Sequence, residues 1–318
     1  MNPPPGRLCP LSYRYGARSL AAGASLRVDT LWIAGGLYGN PEALDALLEL
    51  YAAEPGAKAL VFNGDFHWFD VAREDFLRVN DAVLRHAATR GNVETELASP
   101  ESGAGCGCAY PDWVGEAEVA RSNRIIERLR STAQGAPDAL HRLAALPMHC
   151  VAEVAGLRVA VVHGDAESLA GWGFSQERLA TPEGLAAARA AFDAARVSVF
   201  ASSHTCLPVL QPIDAERAIV NNGAAGMPNF AGTRFGLASR ISVRPGAAPL
   251  YGARLGRLHV EAVPLRYDNR ARRRRFCASW PVGTDAHESY FRRIVDGPRY
   301  DLANALRAAP RMDVRQAA

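Results

Sequence analysis

Five short segments of the chain, four of them containing glycine, carry residues that bind metals or move protons. They are Gly35-Gly36-Leu37-Tyr38-Gly39-Asn40, Asn63-Gly64-Asp65-Phe66-His67, Gly91-Asn92-Val93-Glu94, Val162-His163-Gly164-Asp165 and Ser203-His204-Thr205-Cys206. Taken singly each is weak. A Gly-Asp pair is common in turns, and a lone histidine is more often structural than a ligand. The order and spacing of all five together are far more specific.

Most of the segments follow predicted strands. Residues 26–34 read as a buried strand ending in Gly35-Gly36, and 58–63 as a second one broken by Gly64. Asn40-Pro41 opens a helix whose apolar face is Leu44, Leu47, Leu48 and Tyr51. Helices are predicted over 73–88 and within 111–133, and two facing strands about Ala155-Gly156. Thr181-Pro182 starts an Ala-rich helix to about Arg196, and 197–201 and 218–220 are strands ending at Ser203-His204 and Asn221-Asn222-Gly223. Residues 241–243 and 258–265 close the series. Alternating helices and strands, with Gly or His after strand ends, predict α/β layers with a site at those ends.

In this order the segments resemble the calcineurin-like metallophosphoesterase superfamily, whose series is Asp-x-His, Gly-Asp-x-x-Asp, Gly-Asn-His-Asp/Glu, His and Gly-His-x-His. The resemblance covers roughly residues 26–265. It implies a four-layer αββα sandwich of two mixed sheets flanked by helices. It also implies two adjacent divalent metals bridged by one carboxylate, which clamp phosphoryl oxygens and lower the pKa of a bridging water. Asp65 matches the bridging Asp, and Asn92, His163 and His204 match the other ligands of the second metal. This mixed set suits Mn, Fe or Zn.

The first metal's set departs from the pattern. Gly36 stands for the Asp, Tyr38 for the His and Cys206 for the closing His. Tyr38 and Cys206 can still ligate as phenolate and thiolate; alternatively Tyr38 plugs an empty metal cavity. One ion or two therefore remains open. Val93 occupies the place of the family's general acid, and His67 is the substitute candidate, to protonate the leaving oxygen or ligate the first metal. Asn40, Asn222 and Gly223 are candidate substrate contacts, the last two in a Gly-rich turn that can cradle an anion. Glu94 and Asp165 are expected to orient ligands. Cys106-Gly107-Cys108 sits in a Gly-rich loop, read as reaching over the site; a redox pair, or a thiolate cluster with Cys206, is the alternative.

The chain has 318 residues, a formal charge of +3 and six cysteines. Hydrophobic content of 48% excludes disorder, collagen and coiled coil as the main architecture. No apolar run reaches the roughly 18 residues of a membrane helix. The first residues show no apolar core behind their charges, so no secretory signal is predicted and a cytoplasmic setting is expected. Lys58 is the only lysine, and the balanced charge makes no case for nucleic acid. Residues 1–25 read as a loose leader, 26–265 as the main domain and 266–318 as an Arg-rich helical tail. The expected function is metal-dependent hydrolysis of a small-molecule phosphomonoester or phosphodiester. The alternative is a non-catalytic module that keeps one metal. Oligomeric state is not readable.

Overall fold

Strands that are apolar on both faces must be covered on both faces. The computed structural model describes residues 3–100 and 103–308. It begins with β1 (Leu26–Val28), β2 (Thr30–Ala34), α1 (Pro41–Ala53), β3 (Lys58–Asn63), α2 (Arg73–Val83) and β4 (Ala87–Thr89). It continues with α3 (Asn92–Ala98), α4 (Glu116–Gln134), α5 (Pro137–Ala144), β5 (His149–Val154), β6 (Leu157–Val162) and α6 (Pro182–Ala195). Then come β7 (Val199–Ser202), β8 (Val209–Pro212), β9 (Ala218–Asn221), β10 (Gly236–Ser242), β11 (Tyr251–Leu255) and β12 (Leu258–Leu265), followed by α7 (Asn269–Ser279) and α8 (Asp285–Asp296).

The strands form two six-stranded mixed sheets, ordered β1-β5-β6-β7-β9-β8 and β11-β12-β10-β2-β3-β4. Alternation along the strands sets the layers. Leu31, Ile33 and Val61 meet Val159, Val161 and Val199 in the core between the sheets. Trp32, Ala34, Leu60 and Phe62 face the other way, onto α1 to α5, α7 and α8. Ala160, Val162, Phe200 and Ile219 pack on α6 through Ala188 and Phe192. The result is the helix–sheet–sheet–helix sandwich that the sequence implied.

The site-bearing strands run parallel, β2 with β3 and β4 in one sheet and β6 with β7 and β9 in the other. Parallel strands put their C-terminal ends on one edge, where the five segments gather. A bridge from Gly36 to Ala224 ties the two sheets there.

Several elements differ from expectation. The stretch 26–34 is two strands in different sheets, because Asp29 and Thr30 both turn their N–H groups onto Ala57 O and the chain crosses over. The helix at Arg73 stops at Val83, and Ala87-Ala88-Thr89 pairs with β3, a strand without β-branched or aromatic signature beyond Thr89. The leader is not loose, since its Tyr13 and Leu20 are fully buried. The arginine run forms α7, capped by Asp268 Oδ1 on the Arg270 and Ala271 N–H groups. Arg275 clamps Glu42 and Asp75 at 3.1 and 2.7 Å. Arg272 is buried and donates to Gly39 O at 3.1 Å and Tyr38 O at 3.2 Å. Among the described residues no helix is long and apolar enough to cross a membrane.

Arg272 thus fixes the loop that carries Tyr38. Arg272→Met should strip two buried carbonyls of their donor and cost about 1–3 kcal/mol, partly offset by relief of burying a charge. Thermal unfolding of the variant should show a midpoint several degrees lower; an unchanged midpoint would show that the tail does not anchor this loop.

Candidate metal centre

Four side chains converge at the strand ends. His163 Nε2 lies 3.3 Å from His204 Nδ1, 3.3 Å from Asn92 Oδ1 and 3.4 Å from Asp65 Oδ2. All four residues are buried. A tetrahedral ion with bonds of about 2.0–2.1 Å holds its ligand atoms about 3.3–3.4 Å apart, so these separations fit one ion. Among the described residues, Asp65, His163 and His204 are the one group of three or more His, Cys, Asp or Glu positioned to share an ion.

The free nitrogen of each histidine is chosen by the other one. His163 Nδ1 donates to Asn63 O at 2.8 Å, and His204 Nε2 donates to Cys108 O at 2.9 Å. Both rings therefore turn a lone pair toward the common point. Asn92 is oriented the same way: its Nδ2 donates to Cys106 O at 2.9 Å, which leaves Oδ1 facing His163. The Cys106–Cys108 loop thus acts on the site through its carbonyls. Glu94 acts on backbone too, with Oε2 accepting the N–H of Asp65 at 2.8 Å and of Gly91 at 2.9 Å. Asn63 had drawn no role from sequence, because an amide ending an apolar strand carries no pattern of its own.

The approach is tight and strained. A Cβ on Gly91 would lie 2.2 Å from Asp65 Oδ1, so only glycine admits the carboxylate. Asp65, Tyr38, Trp68 and Cys206 all have positive φ without being glycine, and all four line one cavity of about 400 Å³. Such strain persists only where surrounding contacts over-determine it.

Electrostatics set the protonation states. Burial pushes the Asp65 carboxyl up, but the facing His163 and His204 rings more than offset this and hold it below the usual range. Burial pushes His163 down, yet the Asp65 carboxylate wins and raises it. His204 is driven down to about 4, by burial and then by His163.

No protein-family profile matches the sequence, and no curated protein does. Solved structures do match. A metallophosphoesterase from Sphaerobacter thermophilus aligns at TM-score 0.55 and 16% identity, over 85% of this chain and 100% of its own. A hypothetical protein from Pyrococcus horikoshii aligns at TM-score 0.57 and 13% identity, over 85% and 99%. The chain has the calcineurin-like metallophosphoesterase fold.

On this metallophosphoesterase fold the first metal's set does not fit an ion. A Cβ on Gly36 would lie 2.1 Å from Tyr38 Cζ and 2.4 Å from its hydroxyl oxygen, so the Tyr38 ring fills the space of any carboxylate at 36. The hydroxyl is 2.8 Å from Cys206 Sγ. Burial pushes both the Tyr38 phenol and the Cys206 thiol above their ordinary values, which keeps both neutral.

The other sequence candidates lie elsewhere. His67, the expected acid, is fully buried, with Nδ1 2.6 Å from Asp70 and its ring stacked on Phe76 at 4.0 Å. It does not line the cavity, where His204 is the only histidine among the described residues. Its side chain turned inward because Phe66 to Phe69 is an apolar run that packs into the helix layer. Asn40, Asn222 and Gly223 do not line the cavity either. Asn40 caps α1 and donates Nδ2 to Gly226 O at 2.9 Å, while Asn222 Nδ2 donates to Ser203 Oγ at 3.1 Å. Gly223 lets the sheets close, its carbonyl facing Gly35. Asp165 accepts the N–H groups of Glu167, Ser168 and Gly173, and so shapes the loop carrying Trp172 rather than orienting His163. Cys106 and Cys108 bring their sulfurs to 2.6 Å, and Cys206 does not join them but bonds Tyr38.

Two outcomes follow from this geometry. Ion binding must expel the proton that Asp65 favours on His163, whereas His204 is already neutral above about pH 4. Metal affinity should therefore rise with pH through neutrality, with up to about one proton released per ion near pH 6.5. Calorimetry in buffers of different ionisation enthalpy reads this directly. Gly36→Asp alone should destabilise by about 1–3 kcal/mol through overpacking and add no ion. Combined with Tyr38→His and Cys206→His it should raise metal content toward two ions, by elemental analysis.

Proposed function

We propose that this chain is a metal-dependent phosphoesterase that works with one divalent transition ion. The observation that carries the reading is the four-donor cluster of Asp65, Asn92, His163 and His204 with both histidine tautomers preset by carbonyls. It opens onto the cavity through Asp65, Asn92 and His204. When bound, the ion supplies Lewis acidity toward a phosphoryl oxygen and a water of lowered pKa.

The chain's own residues do the rest. Asp65 is the one carboxylate of the cluster, held in place by the Val93 N–H on Oδ1 at 3.2 Å. Trp68, Tyr110, Trp172 and Tyr290 are among the residues that wall the cavity. Trp172 sits edge-on to His204 at 5.5 Å and donates its Nε1 to Cys108 O. Flat walls favour a substrate whose organic group is an aromatic ring. With His67 sealed in the core, the leaving oxygen must take its proton from solvent, or leave as a stable anion. Aryl esters satisfy that demand better than alkyl esters.

A second reading has a specific observation in its favour. The Tyr38 ring in the first metal's space suits a non-catalytic module that keeps one ion and binds a ligand. The two part on turnover. Purified protein should contain about one Mn, Fe or Zn per chain and hydrolyse p-nitrophenyl phosphate or its diester faster than an alkyl phosphate. Loss of an outer partner of a metal ligand typically costs 10- to 100-fold, so Asp65→Asn and His163→Ala, which remove ligands, should cost roughly a hundredfold or more in metal affinity and turnover. Bound metal with no turnover on either ester would favour the module.

A further inference from the structure

We propose that Arg293 takes the place of the missing first ion and binds the phosphoryl oxygens of the substrate, an assignment that rests on the phosphoesterase reading above. The first observation is the closed half of the site. Tyr38 fills the space beside Gly36 and spends its hydroxyl on Cys206 at 2.8 Å. No set of His, Cys, Asp or Glu for a second ion exists there among the described residues.

The second observation is where α8 ends. Its last turn carries Arg293, whose Nη2 donates to Cys206 O at 3.2 Å and whose Nε donates to Pro228 O at 3.4 Å. Arg293 lines the same cavity as Asp65, Asn92 and His204. The residue that replaces a metal ligand is therefore the residue that seats the guanidinium. The helix end cannot drift: Gly232 N donates to Asp296 O at 2.8 Å, and a Cβ on Gly297 would lie 2.0 Å from Phe230 O.

The third observation is charge. Among the described residues Arg293 makes no ion pair; its two hydrogen bonds go to carbonyls. The nearby wall residue Glu118 is engaged by Arg121 at 2.7 Å. A half-buried guanidinium without a carboxylate, opening beside an ion site, is completed by an anion. Its planar fork matches two phosphate oxygens.

The test is binding of inorganic phosphate to the full chain loaded with Mn²⁺, by calorimetry, together with metal content. The wild type should hold about one ion and bind phosphate. Arg293→Met and Arg293→Gln should keep that ion and lose phosphate affinity roughly 10- to 100-fold. Arg293→Lys, which keeps charge but not the fork, should lose roughly 3- to 10-fold. Arg292→Met, on the exposed side of α8, should bind as the wild type does. Gln retains a donor for Cys206 O, so it carries the test if the Met variant does not fold. Unchanged phosphate affinity in the neutral variants, at unchanged metal content, overturns the role of Arg293 and leaves the phosphoesterase reading standing. Two ions per wild-type chain also overturn it, whatever the variants do, because no place is then left for a substitute. Wild-type protein that takes up neither metal nor phosphate overturns the reading of the site and the proposal with it.

Discussion

One buried carboxamide joins the two sheets at the point where the site is built. Asn63 ends β3 and donates Nδ2 to Val162 O at 2.8 Å and to Ser203 Oγ at 2.9 Å. Its Oδ1 accepts the Thr89 hydroxyl at 3.0 Å, and its backbone carbonyl accepts His163 Nδ1 at 2.8 Å. Strands from both sheets and both histidine-bearing loops therefore refer their positions to this residue. Every group in the network is buried and satisfied by another member, which makes it rigid and costly to break. The tautomer of His163, and with it the direction of its lone pair, is a consequence of that stitching.

The site that results is crowded rather than open. Gly91 must lack a side chain for Asp65 to stand where it does, and Asp65 itself holds a left-handed backbone. Glu94 supports both by accepting their N–H groups with one carboxylate oxygen. Its own burial and the nearby Asp65 raise its pKa, so this support is sensitive to what occupies the cluster. A divalent ion held by Asp65 would offset the proximity of the two carboxyls, and the strain is held in place by the sandwich on either side.

The three departures in the first metal's set form one packed unit. Gly36 makes room, Tyr38 fills it, and Cys206 accepts or supplies the hydrogen bond that the buried phenol needs. A buried hydroxyl without a partner costs free energy, so the Tyr and the Cys are matched to each other. The C-terminal segment closes the same region from outside. Arg272 holds the Tyr38 loop by its carbonyls, and Arg293 holds the Cys206 carbonyl. The region that a two-ion enzyme would fill with metal and water is here filled with protein.

The layered fold was legible because it rests on local pattern. Apolar strands followed by Gly, Asp or His, alternating with capped helices, leave few arrangements other than parallel strand ends meeting at an edge. The candidate donors Asp65, Asn92, His163 and His204 were legible for a different reason: their order along the chain resembles the metallophosphoesterase series, although each segment alone is weak. The break at Asp29, the strand Ala87–Thr89 and the buried leader were not, because they depend on partners distant in sequence. His67 shows the limit most plainly. Its spacing from Asp65 suggested the cleft, but a left-handed residue at 65 followed by an apolar run turned its ring into the core. The sequence by itself determined the layered architecture and named the four residues that meet at one strand edge, because strand and helix periodicity is local and the motif order is carried in the chain itself. Only the tertiary structure decided the ring orientations, the closed half of the site and the seat of Arg293, because these are set by contacts between residues more than 50 positions apart, such as His163 on Asn63 and Arg293 on Cys206.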